Sequence, residues 1–361
     1  MEQKKTVRIR TKQLHVDTGE IIPAVVGCCP QQPLEILPFE SEADTVLADN
    51  IHVALARCDP HVHARESVVP SRDEFERYRL REASFEQKLA AVHRANAGYN
   101  VYRASLAALK GGVWLIGCMG NTPWAPVGLK RWEQTCQLYW HNSLVYTHVW
   151  PRMEPGTVPI NHQQAKDFGS TFGGSGLSPA ERDEMYQEYA GCDVSYHNDQ
   201  ARPDQTLAEF FSHNNGPPEV RFHWYFNEET VLASQRETIA LARAHGLRSL
   251  LTRHVPTGSA FRMLIAEREQ GGLLLPIEVG LDYLYWNRDM VIGHPTGMIN
   301  YRRPALPSPE EQDGLIEELR RHSDDPSVYI ASDHAPHRPE DKAFRNAKPG
   351  SPGTRLLELS T

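Results

Sequence analysis

Short apolar runs alternate with longer helical patterns along most of the chain. Residues 1–50 differ, because they predict short strands joined by turns and hence a separate N-terminal β-rich segment. Beyond residue 50 the apolar runs are nearly continuous, which is typical of parallel strands covered by helices. The predicted strands are Val53–Arg57, Val113–Cys118, Leu144–Trp150, Ala165–Phe168, Val194–His197, Arg248–His254, Leu273–Val279 and Val328–Ser332.

The helical stretches between these strands carry start and stop signals. Ser308 is placed to cap a helix that has Pro309 at its first position. A second helix is expected to begin near Glu228 and to end just before Gly246. Eight strands alternating with helices predict an α/β fold, a (β/α)8 TIM-type barrel over residues 51–361.

The charge balance narrows the range of partners. The chain of 361 residues has 38 basic and 46 acidic side chains, which gives a formal net charge of -8. This balance disfavours nucleic acid or an anionic membrane as the main partner. No apolar run approaches the roughly 20 residues needed to cross a bilayer, and the first residues lack the apolar core of a signal peptide. We therefore expect a cytoplasmic protein.

Polar side chains gather at the carboxyl ends of the predicted strands, which is where barrels of this kind carry their chemistry. His61 and His63 are separated by one residue, so on an extended strand both imidazoles point the same way and can reach one metal ion. The full set of strand-end candidates is His61, His63, Lys166, His197, His254 and Asp333. Taken singly, each has an ordinary explanation, such as a buried histidine, a solvated lysine or a turn-capping aspartate. Their common placement predicts one site.

This residue set suits two divalent metal ions about 3.5–4 Å apart that share a hydroxide. Imidazole and carboxylate ligands accept zinc, cobalt or manganese, and we expect zinc. Lys166 becomes an anionic ligand only if carbon dioxide carbamylates its amine. Asp333 would bind one ion, take the proton of the attacking hydroxide and return it to the leaving nitrogen.

Several motifs carry a resemblance to a known family. They are DPHVHAR (59–65), GGVWLIGCMGNTP (111–123), AKDFGSTFGG (165–174), SYHND (195–199), INYRRPALPSPEEQDGL (299–315), SDHAPH (332–337) and SPGTRLLEL (351–359). With these motifs the chain resembles the metal-dependent amidohydrolase superfamily and, within it, the dihydroorotases, over roughly residues 50–358. The resemblance implies that one ion is bound by His61, His63 and Asp333. It implies that the other ion is bound by His197 and His254, and that carbamylated Lys166 binds both ions.

The resemblance also implies contacts to the substrate. Dihydroorotases hold the substrate carboxylate with an arginine, an asparagine and a histidine, which correspond here to Arg65, Asn121 and His337. The implied reaction is the reversible interconversion of dihydroorotate and N-carbamoyl-L-aspartate, a step of pyrimidine biosynthesis. Hydrolases of hydantoin and dihydropyrimidine rings share the barrel and the metals but lack the arginine, so Arg65 favours dihydroorotate.

Some positions depart from the family pattern. Ser67–Val69 replaces a Pro-Gly pair, Gly120 replaces a proline, and Gly280–Asp282 stands where relatives have Pro-His-His. Relatives also continue past the motif at 351–359, so we expect a short or missing C-terminal cover and hence a homo-oligomer or a partner such as a carbamoyltransferase. Two alternatives stay open: another cyclic-amide hydrolase of the hydantoinase or dihydropyrimidinase type, or a non-catalytic subunit that supports a carbamoyltransferase.

A glycine-rich stretch, FGSTFGGSG (168–176), follows the fourth predicted strand. No GxxxxGK[ST] pattern follows it, which disfavours a phosphate-binding loop. We interpret it as a mobile loop over the site.

Overall fold

A computed structural model of the chain describes residues 6–15, 20–28, 35–54, 57–64, 85–120, 122, 124–154, 156–159, 170–173, 179–197, 210, 212–214, 227–292, 302 and 304–336. The chain divides into two structural units, Met1–Arg57 and Cys58–Thr361. The sequence-based boundary after residue 50 lies a short distance before this division.

A small β-sheet forms the first unit. Its central strand β1 (Val7–His15) pairs antiparallel with β2 (Ile21–Cys28), and β3 (Glu35–Leu37) pairs antiparallel with β2. The short strands β4 (Thr45–Val46) and β5 (His52–Ala54) lie parallel to β1. The sheet buries a few apolar side chains, among them Leu14, Ala24 and Val26.

The second unit is built on eight strands that form two sheets within the described residues. They are β6 (Arg57–Val62), β7 (Val113–Cys118), β8 (Tyr146–Val149), β9 (Ser170–Gly173), β10 (Asp193–His197), β11 (Ser249–Arg253), β12 (Ile277–Gly280) and β13 (Val328–Ala331). β6, β7 and β8 form one sheet, and β9 to β13 form another in which each strand runs parallel to the next. This is the α/β arrangement with parallel strands that the sequence predicts.

The two sheets meet where the last strand returns to the first. A parallel bridge joins Val62, at the end of β6, to His334, just after β13. The spatial order of the strands therefore follows their order in the chain, as a (β/α)8 barrel requires. Within the described residues no pairing connects β8 to β9, so full closure of the barrel stays a prediction.

The predicted first strand, Val53–Arg57, was wrong. His52–Ala54 pairs with β1 in the N-terminal sheet, and the first strand of the second unit is Arg57–Val62. The prediction followed the apolar run, whereas β6 buries polar side chains such as Asp59 and His61. The histidine motif therefore lies largely on the strand itself instead of following it.

The fourth predicted strand, Ala165–Phe168, lies outside the described residues. β9 begins at Ser170, two positions after the end of the predicted strand, and pairs in parallel register with β10. The interpretation of the glycine-rich stretch as a mobile loop is therefore wrong for residues 170–173. Pairing with a neighbouring strand overrides the weak strand preference of glycine there.

Helices connect most of the described strands. They are α1 (Phe85–Lys110), α2 (Gly128–Asn142), α3 (Pro179–Glu188), α4 (Glu228–Ala244), α5 (Gly258–Glu269), α6 (Asp282–Tyr285), α7 (Arg288–Val291) and α8 (Pro309–Arg321). The predicted cap of α8 is confirmed, since Ser308 Oγ accepts a hydrogen bond of 3.2 Å from the backbone N–H of Glu311. The predicted end of α4 is also confirmed, with Gly246 at a φ of 65°. None of the helices in the described part of the chain is long and apolar enough to span a membrane.

Two apolar clusters hold the helices against the strands. The larger packs α3, α4, α5 and α8 against β10, β11 and β12, with Tyr196, Phe261 and Ile277 fully buried. The smaller packs α1 and α2 against β6, β7 and β8 around Val101 and Ile116. Together they fix the strand ends that carry the polar cluster described below.

Gly258 permits the close approach of α5 to α8. A Cβ atom at Gly258 would lie 2.7 Å from the carbonyl carbon of Gly314 and 2.9 Å from the backbone nitrogen of Leu315. We expect Gly258→Ala to destabilise the protein by about 1–3 kcal/mol, because two helix backbones would have to separate. Thermal unfolding of the purified variant measures this loss.

Gly314→Ala is the matched control, since it adds the same methyl group to the facing helix. Its Cβ would contact the flexible end of Arg262 at 3.4 Å and the Cα of Gly258 at 3.7 Å, which leaves room. In a helix interior, alanine is also more stabilising than glycine by about 0.5–1 kcal/mol. We expect Gly314→Ala to match or exceed wild-type stability, and an unchanged melting temperature in Gly258→Ala would contradict this account of the contact.

Candidate metal centre

Five of the predicted metal ligands are described by the structure, and all five come together. His61 lies on β6, His63 follows it, and His197 is the last residue of β10. His254 follows β11 directly, and Asp333 comes shortly after β13. Since the carboxyl ends of neighbouring parallel strands share one edge, residues far apart in sequence reach one point.

His61 lies at the centre of the cluster. Its Nε2 is 3.2 Å from Nε2 of His63, 3.3 Å from Nε2 of His197 and 3.2 Å from Oδ1 of Asp333. The same Asp333 oxygen is 3.1 Å from Nε2 of His63. The ring centroids of His197 and His254 are 5.0 Å apart.

Two overlapping groups of potential ligand atoms result from this geometry. In each group the atoms lie within 4.8 Å of one another, and the groups are His61, His197 and His254, and His61, His63 and Asp333. The resemblance assigned His61 to one ion alone, whereas the geometry places it in both groups. Two adjacent ion positions fit this arrangement, and Nε2 of His61, which has one lone pair, can bind only one of the two ions.

His254 is held as the neutral imidazole, which is the metal-binding form of histidine. All four histidines are buried, and Asp333 is the most exposed member, with 16% of its side chain accessible. Burial, together with the neighbouring His197 and His61, lowers the pKa of His254 well below its usual value. Protonation is therefore suppressed where lone pairs are needed.

An unsatisfied ring nitrogen supports the fit of a metal ion. Nδ1 of His254 is buried and has no hydrogen-bond partner among the described residues. Buried polar atoms in proteins nearly always have a partner. Four imidazoles and a carboxylate form a donor set suited to zinc-like ions.

Two of these residues have strained backbones. His254 has a φ of 38° and Asp333 a φ of 46°, and they are the non-glycine residues with positive φ in the described part of the chain. Such conformations cost of order 1–3 kcal/mol each and concentrate at functional sites. His254 directly follows β11 and Asp333 lies two residues after β13, so in both cases a turn redirects the side chain just beyond the strand.

Four of the predicted site residues fall outside the described residues: Arg65, Asn121, Lys166 and His337. Two of their neighbours in the sequence are described: Ala64, before Arg65, and Thr122, after Asn121, are both buried. The roles assigned to the four undescribed residues remain predictions.

A buried carboxylate that was not among the predicted site residues lies next to the cluster. Glu278, in the middle of β12, is fully buried, and its Oε1 lies 2.5 Å from Nδ1 of His61. Its Oε2 accepts a hydrogen bond of 2.6 Å from Nη1 of the equally buried Arg253. A glutamate inside an otherwise apolar strand, and an arginine directly before His254, were the available signals.

A second buried carboxylate, Asp59, was also missed. Its Oδ1 accepts backbone hydrogen bonds of 3.2 Å from His61 and from Ser332, and so connects β6 to the residues after β13. Burial raises the pKa of Asp59 to about 6. Its place two residues before His61 in the DPHVH motif was the signal for it.

Comparison with known proteins identifies the fold. No protein-family model and no curated protein matches the sequence. The L-hydantoinase (dihydropyrimidinase) from Arthrobacter aurescens superposes with a TM-score of 0.71 and 19% identity, over 98% of this chain and 75% of that one. The D-hydantoinase from Thermus sp. gives 0.68 and 16%, over 98% and 74%.

A dihydroorotase from Saccharomyces cerevisiae, solved in complex with 5-fluoroorotic acid, is also similar. Its TM-score is 0.55 with 15% identity, over 84% of this chain and 75% of that one. The likeness extends over nearly the whole chain for the hydantoinases and over most of it for the dihydroorotase. The chain therefore shares the fold of these hydantoinases and of this dihydroorotase.

A half-buried histidine outside the cluster generates a pH prediction. His148, on β8, packs edge-on against Trp150, and burial together with Arg253 lowers its pKa to about 3. The unfolded chain, with an ordinary histidine pKa near 6.5, then binds more protons between these values. Stability therefore falls as the pH drops below about 6.5, by at most about 1.4 kcal/mol per pH unit from this group.

We expect His148→Gln to lose less stability than the wild type between pH 7 and pH 5. Urea unfolding of both proteins at each pH, with chelator present throughout, isolates the contribution of His148, since all other groups are shared. An identical pH dependence in the two proteins would show that His148 is not held neutral.

Proposed function

We propose that this chain is a metal-dependent hydrolase of cyclic amides that interconverts dihydroorotate and N-carbamoyl-L-aspartate. The observation that carries the proposal is the cluster of four histidines and Asp333 at the carboxyl ends of the barrel strands. The fold shared with solved hydantoinases and a dihydroorotase supports the same class of reaction.

The five described candidate ligands divide into two sets, one for each ion. Asp333 with His61 and His63 would hold one ion, and His197 with His254 would hold the other. The short distances from His61 to both His63 and His197 support ion positions close together. Carbamylated Lys166 would complete both sets, and zinc fits these ligands. When bound, such a pair supplies a water that is nucleophilic at neutral pH and polarises the amide carbonyl.

Asp333 is the residue we assign to proton transfer. It is the most accessible member of the cluster, so its carboxylate can reach both water and substrate. It would accept a proton as the water oxygen bonds to the ring carbonyl carbon. It would then give that proton to the ring nitrogen as the carbon–nitrogen bond breaks. The reverse sequence closes the ring.

Arg65 favours a substrate that carries a carboxylate. In the sequence it directly follows the buried segment His61–Ala64, so we expect it to reach the same end of β6 as the cluster. Its guanidinium forms a fork that matches a carboxylate, and Asn121 and His337 would add donors. Dihydroorotate has this carboxylate, whereas hydantoin and dihydrouracil do not.

A second candidate is a hydantoinase or dihydropyrimidinase activity. It is favoured by the higher TM-score against the hydantoinases, 0.71 compared with 0.55 for the dihydroorotase. A non-catalytic subunit that supports a carbamoyltransferase would have no need of these ligands, and the intact histidine cluster counts against it. Assays on dihydroorotate, hydantoin and dihydrouracil separate the first two.

Metal removal tests the proposed chemistry. We expect dialysis against a strong chelator to abolish ring opening and to lower the melting temperature, and zinc to restore both. An ion present at 100 times its dissociation constant stabilises the folded state by about 2.7 kcal/mol. Elemental analysis should find about two ions per active chain. Full activity in protein shown to be free of metal would contradict the proposal.

Arg65→Ala tests the assigned substrate. Loss of a charged hydrogen bond costs about 1.5–3 kcal/mol, so we expect kcat/KM for dihydroorotate to fall roughly 10- to 100-fold. Turnover of a ring without a carboxylate should not fall in parallel. Arg57→Ala is the control, since Arg57 is exposed at the opposite end of β6. Unchanged kinetics in Arg65→Ala would refute the carboxylate assignment.

A further inference from the structure

Glu278 contacts ligands of both proposed ions through a single oxygen. Its Oε1 lies 2.5 Å from Nδ1 of His61 and accepts a hydrogen bond of 3.2 Å from the backbone N–H of His254. His254 is one of the two residues with strained backbone. One carboxylate oxygen therefore restrains the ring of His61 and the backbone of His254 together.

The contact to Glu278 determines which nitrogen of His61 faces the cluster. A carboxylate only accepts hydrogen bonds, so His61 donates its proton from Nδ1. In a neutral imidazole the other nitrogen, Nε2, then carries the free lone pair. Nε2 is the atom within 3.3 Å of His63, His197 and Asp333.

Arg253 holds the carboxylate in place from the other side. Its Nη1 donates to Oε2 of Glu278 at 2.6 Å, and both side chains are fully buried. The guanidinium carbon lies 4.3 Å from the ring centroid of Trp150, which fixes the plane of the group. Arg253 and Glu278 therefore form a buried ion pair, and Arg253 fixes the position of the Glu278 carboxylate.

We propose that Glu278 and Arg253 are positioning residues that orient His61 and His254 for metal binding. This inference rests on the proposed metal-dependent function. In it, Glu278 and Arg253 do not bind the metal themselves but hold the histidines that do. Such outer partners of a ligating histidine typically change metal affinity about 10- to 100-fold.

Zinc affinity, measured by competition with a chromophoric chelator, tests the proposal without any substrate. We expect Glu278→Gln to weaken zinc binding about 10- to 100-fold. The Nδ1–H proton of His61 should give a downfield NMR signal in the wild type that moves upfield in this variant. Arg253→Met should weaken binding in the same direction.

Each single variant leaves one buried charge without its partner and can fail to fold. The double variant Glu278→Gln/Arg253→Met removes both charges together, so it keeps the test available, and it should show the same loss of zinc affinity. Asp282→Asn is the matched control, since Asp282 forms another buried ion pair, with Arg302. This control should lose stability but keep zinc affinity within about threefold of the wild type.

The outcomes distinguish the positioning role of Glu278 from the proposed metal binding itself. Wild-type zinc affinity in the Glu278→Gln or double variant would overturn the positioning role alone. An equal loss in Asp282→Asn would do the same, because it would trace the effect to general destabilisation. A wild-type chain that binds no zinc would overturn the proposed function and this inference with it.

Discussion

The hydrogen bond between Glu278 and His61 is the interaction on which the rest of the cluster depends. A carboxylate buried inside a barrel is costly unless each of its oxygens is paired. Here Arg253, the His61 ring and the backbone of His254 supply those partners. A buried polar network therefore supports the ligand cluster of the second unit, and two apolar clusters pack on the strands that carry it.

Much of this site could be predicted because its signals are local. The spacing of His61 and His63 follows from the two-residue repeat of a strand, and parallel strands bring their carboxyl ends to one edge. His197, His254 and Asp333 each stand at the end of a recognisable apolar run. The convergence of all five required no knowledge of side-chain contacts, only of strand order.

The partners of these residues could not be predicted, because their contacts connect distant parts of the chain. Glu278 is 217 positions from His61, and nothing near either residue indicates the other. The same limit explains the first strand: β6 buries Asp59 and His61, so its pattern lacks the apolar run that identified the other strands. Polar interior positions invert the hydrophobic pattern at the place where the chemistry lies.

The strained residues show how the fold aims these side chains. His61 points into the cluster from within β6, where strand alternation sets its direction. His254 and Asp333 lie beyond the ends of their strands, where alternation no longer applies, and left-handed backbone turns them inward instead. The strain is offset by contacts that exist only in the assembled site, namely the bond from His254 N–H to Glu278 and the approach of Asp333 to His61 and His63. The positions of the ligands therefore depend on one another. A change that relaxes the backbone of His254 or Asp333 would displace the other ligands as well.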